Sequence, residues 1–204
     1  MRGRSYRALI GRGRPGAPGA RWYHAPVRRA GTALLLAVAL VAAGCGGASV
    51  TATPTTLPLP AGPTPSPIAT MVCQPKVSDE IHQVLGVKAD VVDESWTVAD
   101  HTYRCTYRYP DGSMGLSVAE VSSWDGVENA YASLQHSLGV AQELPNLGQA
   151  AFQAPDGSVV VRKDWKILVV DPTGLPAQFG VPPTSSADVA VTVADVVLGC
   201  WSGD

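Results

Sequence analysis

Between Arg29 and Lys76 the chain carries no Lys, Arg, Asp or Glu, and that gap separates three stretches with different physical chemistry. Before it lie eight of the fifteen basic residues, all arginines within positions 1–29. After it lie all seventeen carboxylates, from Asp79 to Asp204. From Val72 onward four Lys and three Arg face those seventeen, a net charge of −10, although the whole chain is formally only −2 at pH 7. An acidic body repels phosphate, which argues against a polybasic face for nucleic acid. A single apolar run approaches spanning length, which argues against a multi-span membrane protein.

That run, Ala30 to Gly44, reads AGTALLLAVALVAAG and follows Arg28 and Arg29. A positive flank, an apolar core and small residues at the end are the parts of an export signal. Cys45 comes next. The segment Leu40-Val41-Ala42-Ala43-Gly44-Cys45 resembles the bacterial lipobox, with Ala42 standing where that motif prefers Leu. The resemblance implies that Cys45 receives a diacylglyceryl (palmitate-type) group on its thiol and that the Gly44–Cys45 bond is then cut. Ala43 and Gly44 are small enough to admit the peptidase. Two other readings compete. Gly31 to Val50 is twenty uncharged residues, long enough to span a bilayer, but its last third is Gly, Ala and Ser. A plain cleaved signal is the other. Both main readings hold the arginines inside and put the body outside, on the outer face of the cytoplasmic membrane. Gly11-Arg12-Gly13-Arg14-Pro15-Gly16 satisfies G-x-G-x-x-G, yet no strand precedes it and Pro15 interrupts it, so no dinucleotide site follows. A head of 29 residues is long for a signal, so Val27 before Arg28-Arg29 stands beside Met1 as an alternative start.

Ser49 to Pro67 is rich in Pro and Thr, which favours extended polyproline-like backbone and a spacer role. Threonines in such a stalk also suit glycosylation. The organisation expected is therefore 1–44 export signal, 45–71 lipidated Cys and tether, and 72–204 extracytoplasmic domain.

The body has 133 residues, enough for one domain with a core. Ser78-Asp79-Glu80 before Ile81, Val84, Leu85 and Gly86 predicts a capped short helix. Strands are expected over 88–98, 102–109 and 114–121. In the second, Tyr103, Cys105, Tyr107 and Tyr109 alternate with Arg104, Thr106 and Arg108, the pattern of an antiparallel strand with one wet face. Pro110-Asp111-Gly112-Ser113 reads as its hairpin turn, with Gly112 at positive φ. Asp125 to Glu128 reads as a capping box opening a helix through Val127, Tyr131, Leu134 and Leu138, stopped by Gly139. Strands over 149–154, 158–162 and 166–171 follow, with Pro155-Asp156-Gly157-Ser158 repeating the turn tetrapeptide. Ser185 or Ser186 caps a last helix with Val189, Val193, Val196, Val197 and Cys200 on one face. The fold class expected is α+β, an antiparallel sheet of about five to six strands with helices on one face, in the order α-βββ-α-βββ-α.

With Cys45 lipidated, three cysteines remain for one bridge in a disulfide-permissive compartment. Cys73–Cys200 and Cys105–Cys200 are possible. Cys73–Cys105 is favoured because Cys73 precedes the first helix and Cys105 points to the apolar face of its strand. Such a bridge closes about thirty residues and contributes about 3 kcal/mol. Cys200 then reads as a buried, inert thiol. No metal or cofactor motif stands out: His82, His101 and His136 have no H-E-x-x-H spacing. Nor is there a nucleophile elbow: Gly112-Ser113-Met114-Gly115 misses it by one position. The carboxylates Asp90, Asp93, Glu94 and Asp100 fit a solvated acidic surface. Trp96, Trp124, Trp165 and Trp201 fit core and edge packing better than an aromatic groove.

Cys73 before a helix ending Leu85-Gly86, Cys105-Thr106-Tyr107 in a strand, and the run from Leu147 to Phe152 resemble the uncharacterised α+β domains of actinobacterial cell-envelope lipoproteins. Val159-Val160-Val161 with the run from Trp165 to Val170 belongs to the same pattern. The resemblance implies location and fold but no catalytic residues, and Cys200 departs from its two-cysteine pattern. The function expected is a membrane-tethered, non-catalytic binding, sensor or adaptor module for an envelope ligand or protein. A carrier of lipid or a small apolar ligand is the alternative, and an envelope enzyme a third.

Overall fold

The computed structural model describes residues 61–201. The signal, Gly44, Cys45 and most of the tether lie outside the described residues.

Strand β2 (Thr102–Tyr109) shows the alternation expected of it: Tyr103, Cys105, Tyr107 and Tyr109 are buried, while Arg104 and Arg108 are exposed. It pairs antiparallel with β1 (Asp90–Thr97) and with β3 (Gly112–Glu120). A second meander, β5 (Ala150–Gln153), β6 (Val159–Lys163) and β7 (Lys166–Asp171), carries the short β4 (Gln142–Glu143) on its outer edge. The third strands of the two meanders, β3 and β7, pair antiparallel. The result is one seven-stranded sheet in the order β1-β2-β3-β7-β6-β5-β4. The sheet is wider than the five to six strands expected, because the two-residue β4 has no alternation to announce it. A further two-stranded ribbon, β8 (Gln178–Phe179) with β9 (Thr184–Ser185), was equally silent in the sequence.

The helices do not all lie on one face, contrary to the expected layering. α1 (Pro67–Met71), α2 (Pro75–Leu85) and α4 (Ser186–Cys200) bury Ala69, Val77, Ile81, Leu85, Val193 and Val197 against Tyr107, Met114, Leu116 and Leu168. α3 (Trp124–Leu138) packs on the opposite face, where Val127 and Tyr131 meet Phe152, Val160 and Ile167. The physical reason stands in β6 and β7: Val159-Val160-Val161 and Ile167-Leu168 are buried without alternation. An antiparallel strand buried on both faces needs cover on both.

Local chemistry departs from expectation at several boundaries. Helix α2 opens at Pro75 rather than after Ser78; Pro at the first position lacks only an N–H that would have had no partner. Gly86 closes it at φ 68° as expected, whereas Val84 is exposed. Helix α3 is capped by Ser123, which accepts from the Gly126 N–H, and not by a box built on Asp125. Ser185 caps α4, accepting from the Asp188 N–H at 3.1 Å. The two Pro-Asp-Gly-Ser segments differ: Gly157 takes φ 90°, with Asp156 accepting from the Ser158 N–H. Gly112 instead lies in β3 opposite Tyr109, so its glycine is not there for φ. A Cβ on Gly112 would sit 2.5 Å from the Gly174 carbonyl oxygen, so the residue is small to let the loop after β7 close on the hairpin.

Packed structure also begins before Val72. Ser66 caps α1, its N–H and hydroxyl both meet the Glu120 carboxylate, and Ala69 and Val72 are fully buried. The last nine or so residues read as tether (63–71) thus lie against the domain.

Candidate functional site

Adjacent cross-strand rows of the sheet have opposite fates. On the α2/α4 face the row Trp96, Tyr103, Val118, Leu168, Val161, Ala151 is apolar from end to end. On the other face the neighbouring row runs Ser95, Arg104, Ser117, Val169, Val160, Phe152. It turns from polar to apolar at Val169, where α3 begins to cover the sheet. The next row, Val92, Thr106, Gly115, Asp171, is likewise polar over the central strands. Among the described residues, nothing lies over this half of the sheet.

The uncovered half holds a depression of about 530 Å³, floored by Thr106, Gly115 and Ser117 and bordered by Asp93, Ser95, Arg104, Val169 and Asp171. Small residues make the floor: Gly115 has no side chain and Ser117 a short one, so the surface drops beside the α3 shoulder. The hydroxyls of Ser95, Thr106 and Ser117 make no side-chain hydrogen bond among the described residues, which leaves each free to donate or accept.

Charge is arranged around this floor. β1 carries a bulge where its register with β2 shifts between Val92 and Ser95, and Asp93 within it has φ 57°. Bulges re-aim side chains at strand edges, and Asp tolerates the left-handed region. Here Asp93 faces Arg108 at 3.5 Å, and Arg104 faces Asp100 at 3.4 Å. Both pairs are solvent-exposed and contribute little to stability, so their groups can exchange partners at small cost. Asp171 accepts from the Thr173 N–H and hydroxyl, at 2.9 and 2.6 Å, which fixes its carboxylate at the border. One guanidinium, two carboxylates and three free hydroxyls on a shallow floor can bind a polar, hydroxyl-bearing or zwitterionic surface. Asp93 and Asp171 read in the sequence as scattered surface acids, and only the bulge and the β3–β7 pairing bring them together.

The cysteines fall into two groups. Cys73 and Cys105 are joined, as favoured, with Cα atoms 6.0 Å apart. The Tyr107 hydroxyl donates to the Val72 carbonyl at 2.6 Å beside the bridge, so the α1–α2 junction is tied twice to β2. Burial pushes the Tyr107 hydroxyl well above the ordinary range, which keeps it a donor. Cys200 is the free thiol, and it is half-buried rather than buried because it sits at the end of α4 next to α2. Its Sγ lies 3.0 Å from Glu80 Oε2. Burial first, then the hydrogen bond and charge of Glu80, push the thiol up to about 11, with Lys76 opposing. A thiol so protonated is a poor nucleophile.

The remaining candidates do not converge. His82 lies on α2, His136 is exposed on α3, and His101 in the β1–β2 turn meets the Trp96 ring edge-on at 5.9 Å. Of the tryptophans, Trp201 is buried and Trp96 half-buried with its N–H donating to the Pro63 carbonyl at 3.0 Å. Trp124 and Trp165 form a separate pair, centroids 3.9 Å apart. Comparison of the chain with protein-family profiles, with curated proteins and with solved structures gives no match.

Proposed function

We propose that this chain is a lipid-anchored envelope protein whose body is a non-catalytic binding module, presenting the open half of its sheet to a polar ligand or partner on the outer side of the membrane. The observation that carries the binding part is the row Ser95, Arg104, Ser117, which is uncovered and hydrogen-bond-competent where its continuation is covered by α3. The anchor part rests on the sequence Ala43-Gly44-Cys45 after an export-type run. The alternative of an apolar-ligand carrier has less support. The layer between α2, α4 and the sheet is filled by Tyr107, Met114, Leu116, Val193 and Val197, all buried, and a ligand there would have to displace them.

Two measurements test the proposal separately. Metabolic labelling with a fatty acid should mark the chain and fail to mark Cys45→Ala; continued labelling of that variant ends the anchor reading. A photo-crosslinking residue at Ser117 should give a discrete adduct in intact cells, while the same residue at the exposed Asp195 of α4 should not. Thr106→Arg should abolish the Ser117 adduct by filling the floor. Equal adducts from both positions would remove the open sheet face as the binding surface.

A further inference from the structure

The end of the sheet at which the described chain begins carries an aromatic rim that the binding reading does not use. Pro63 is held by the Trp96 N–H, and Ser66 by Glu120 at the end of β3. From there a continuous set of contacts crosses the strand ends. The Trp96 ring meets His101, the His101 carbonyl accepts from the Glu120 N–H at 2.9 Å, and the Trp165 carbonyl accepts from the Val121 N–H at 2.8 Å. Trp165, in the β6–β7 turn, packs against Trp124 in the first turn of α3 with the two rings tilted by 45°. Trp124 is 48% exposed, and Val98 in the β1–β2 turn is 54% exposed. The other large apolar side chains exposed among the described residues, Val84, Val140 and Val181, are single valines away from this end, whereas Trp124 is the one exposed aromatic and has a second indole against it, which makes a larger apolar surface.

We infer that this end rests on the bilayer, with Trp124 and Trp165 at the depth of the lipid headgroups. The inference rests on the anchor proposed above for its geometry. Only seventeen residues, 46–62, separate Cys45 from Pro63, and Pro63 is held at this end of the body. Such a segment reaches roughly 50 Å when fully extended and far less as a coil. A tethered surface meets the membrane at an effective concentration on the order of millimolar, so a weak contact suffices to orient the body. Trp suits the task because its ring is apolar and its N–H finds partners among headgroups. The rim is not basic: Asp100, Asp125 and Asp164 outnumber Lys163 and Lys166 there. The contact is therefore made by aromatic burial into zwitterionic lipid and is weakened by anionic lipid. Strands standing on the membrane leave the open face of the sheet turned sideways to the envelope space.

The test uses the full mature chain in phosphatidylcholine vesicles whose acyl chains are brominated near the headgroup. Tryptophan emission should be quenched, and the Trp124→Phe/Trp165→Phe double variant should lose most of that quenching. The buried Trp201→Phe control should keep it. Replacing part of the phosphatidylcholine by phosphatidylglycerol should reduce the effect. Fatty-acid labelling is read on the same material: labelled chain without quenching overturns the bilayer contact and leaves the anchor standing. Unlabelled chain that is still quenched through Trp124 does the reverse. A shift of Trp124 emission by soluble N-acetylglucosamine oligomers, without bromolipid quenching, would assign the pair to glycan and also overturn the inference.

Discussion

Burial is the first cause that raises both the Tyr107 hydroxyl and the Cys200 thiol, but the consequences differ. The Tyr107 hydroxyl satisfies the buried Val72 carbonyl. Tyr107→Phe keeps the ring and orphans that acceptor, and should lower stability by about 1–3 kcal/mol in urea unfolding. Cys200 is held protonated by burial and by Glu80. Because the carboxylate raises the thiol, Glu80→Gln should lower its pKa from about 11 and increase the thiolate fraction at every pH below that value. Iodoacetamide should then alkylate Cys200 several-fold faster at mildly alkaline pH, and Lys76→Met should slow it. An unchanged rate in E80Q would show that burial alone sets the thiol. The place of Cys200 on the side of the last helix that packs against the core was legible as apolar helix spacing. Its partner Glu80, 120 positions away, was not.

At the scale of elements the Cys73–Cys105 bridge ties the α1–α2 junction to the middle of β2. Replacing either cysteine by Ala should cost on the order of 2–5 kcal/mol, since a loop of some thirty residues regains its freedom when unfolded. Cys200→Ala should cost about 1 kcal/mol, as for an ordinary half-buried side chain. Thermal or denaturant midpoints of the three variants under non-reducing conditions decide it, and equal losses would contradict the pairing. The strands with strict alternation, β2 above all, were readable because one face is wet. Helix α3 was readable as a helix but not as the cover of the second face. Its apolar stripe says that it packs, whereas the uninterrupted valines of β6 say where.

Across the whole molecule, the packed body starts earlier than a composition boundary suggests. Pro and Thr continue to Pro67, yet Ser66, Ala69 and Val72 belong to the fold. A chain beginning at Val72 should lose about 2–4 kcal/mol, the burial of Ile68, Ala69 and Met71 together with the Ser66–Glu120 contact. Identical midpoints for the Gly62 and Val72 starts would return residues 62–71 to the tether. The two surfaces proposed above, the open polar sheet face and the aromatic end, sit on one body. They are carried by different strand segments, so T106R and W124F/W165F should act independently.

The sequence by itself determined the parts that depend on local chemistry. These are the charge partition, the export-type run before Cys45, the α+β class, the turn and cap glycines Gly86, Gly139 and Gly157, and the wet face of β2. Each follows from spacing or from a residue's own backbone preference. Only tertiary structure decided the seven-strand width, the split of helices between two faces and the meeting of Asp93, Arg104, Ser117 and Asp171. The same holds for the gathering of Trp124 and Trp165 at the end where the chain enters. Those features depend on which strands pair. Pairing is set by the sum of burial on both faces, a quantity that no single segment contains.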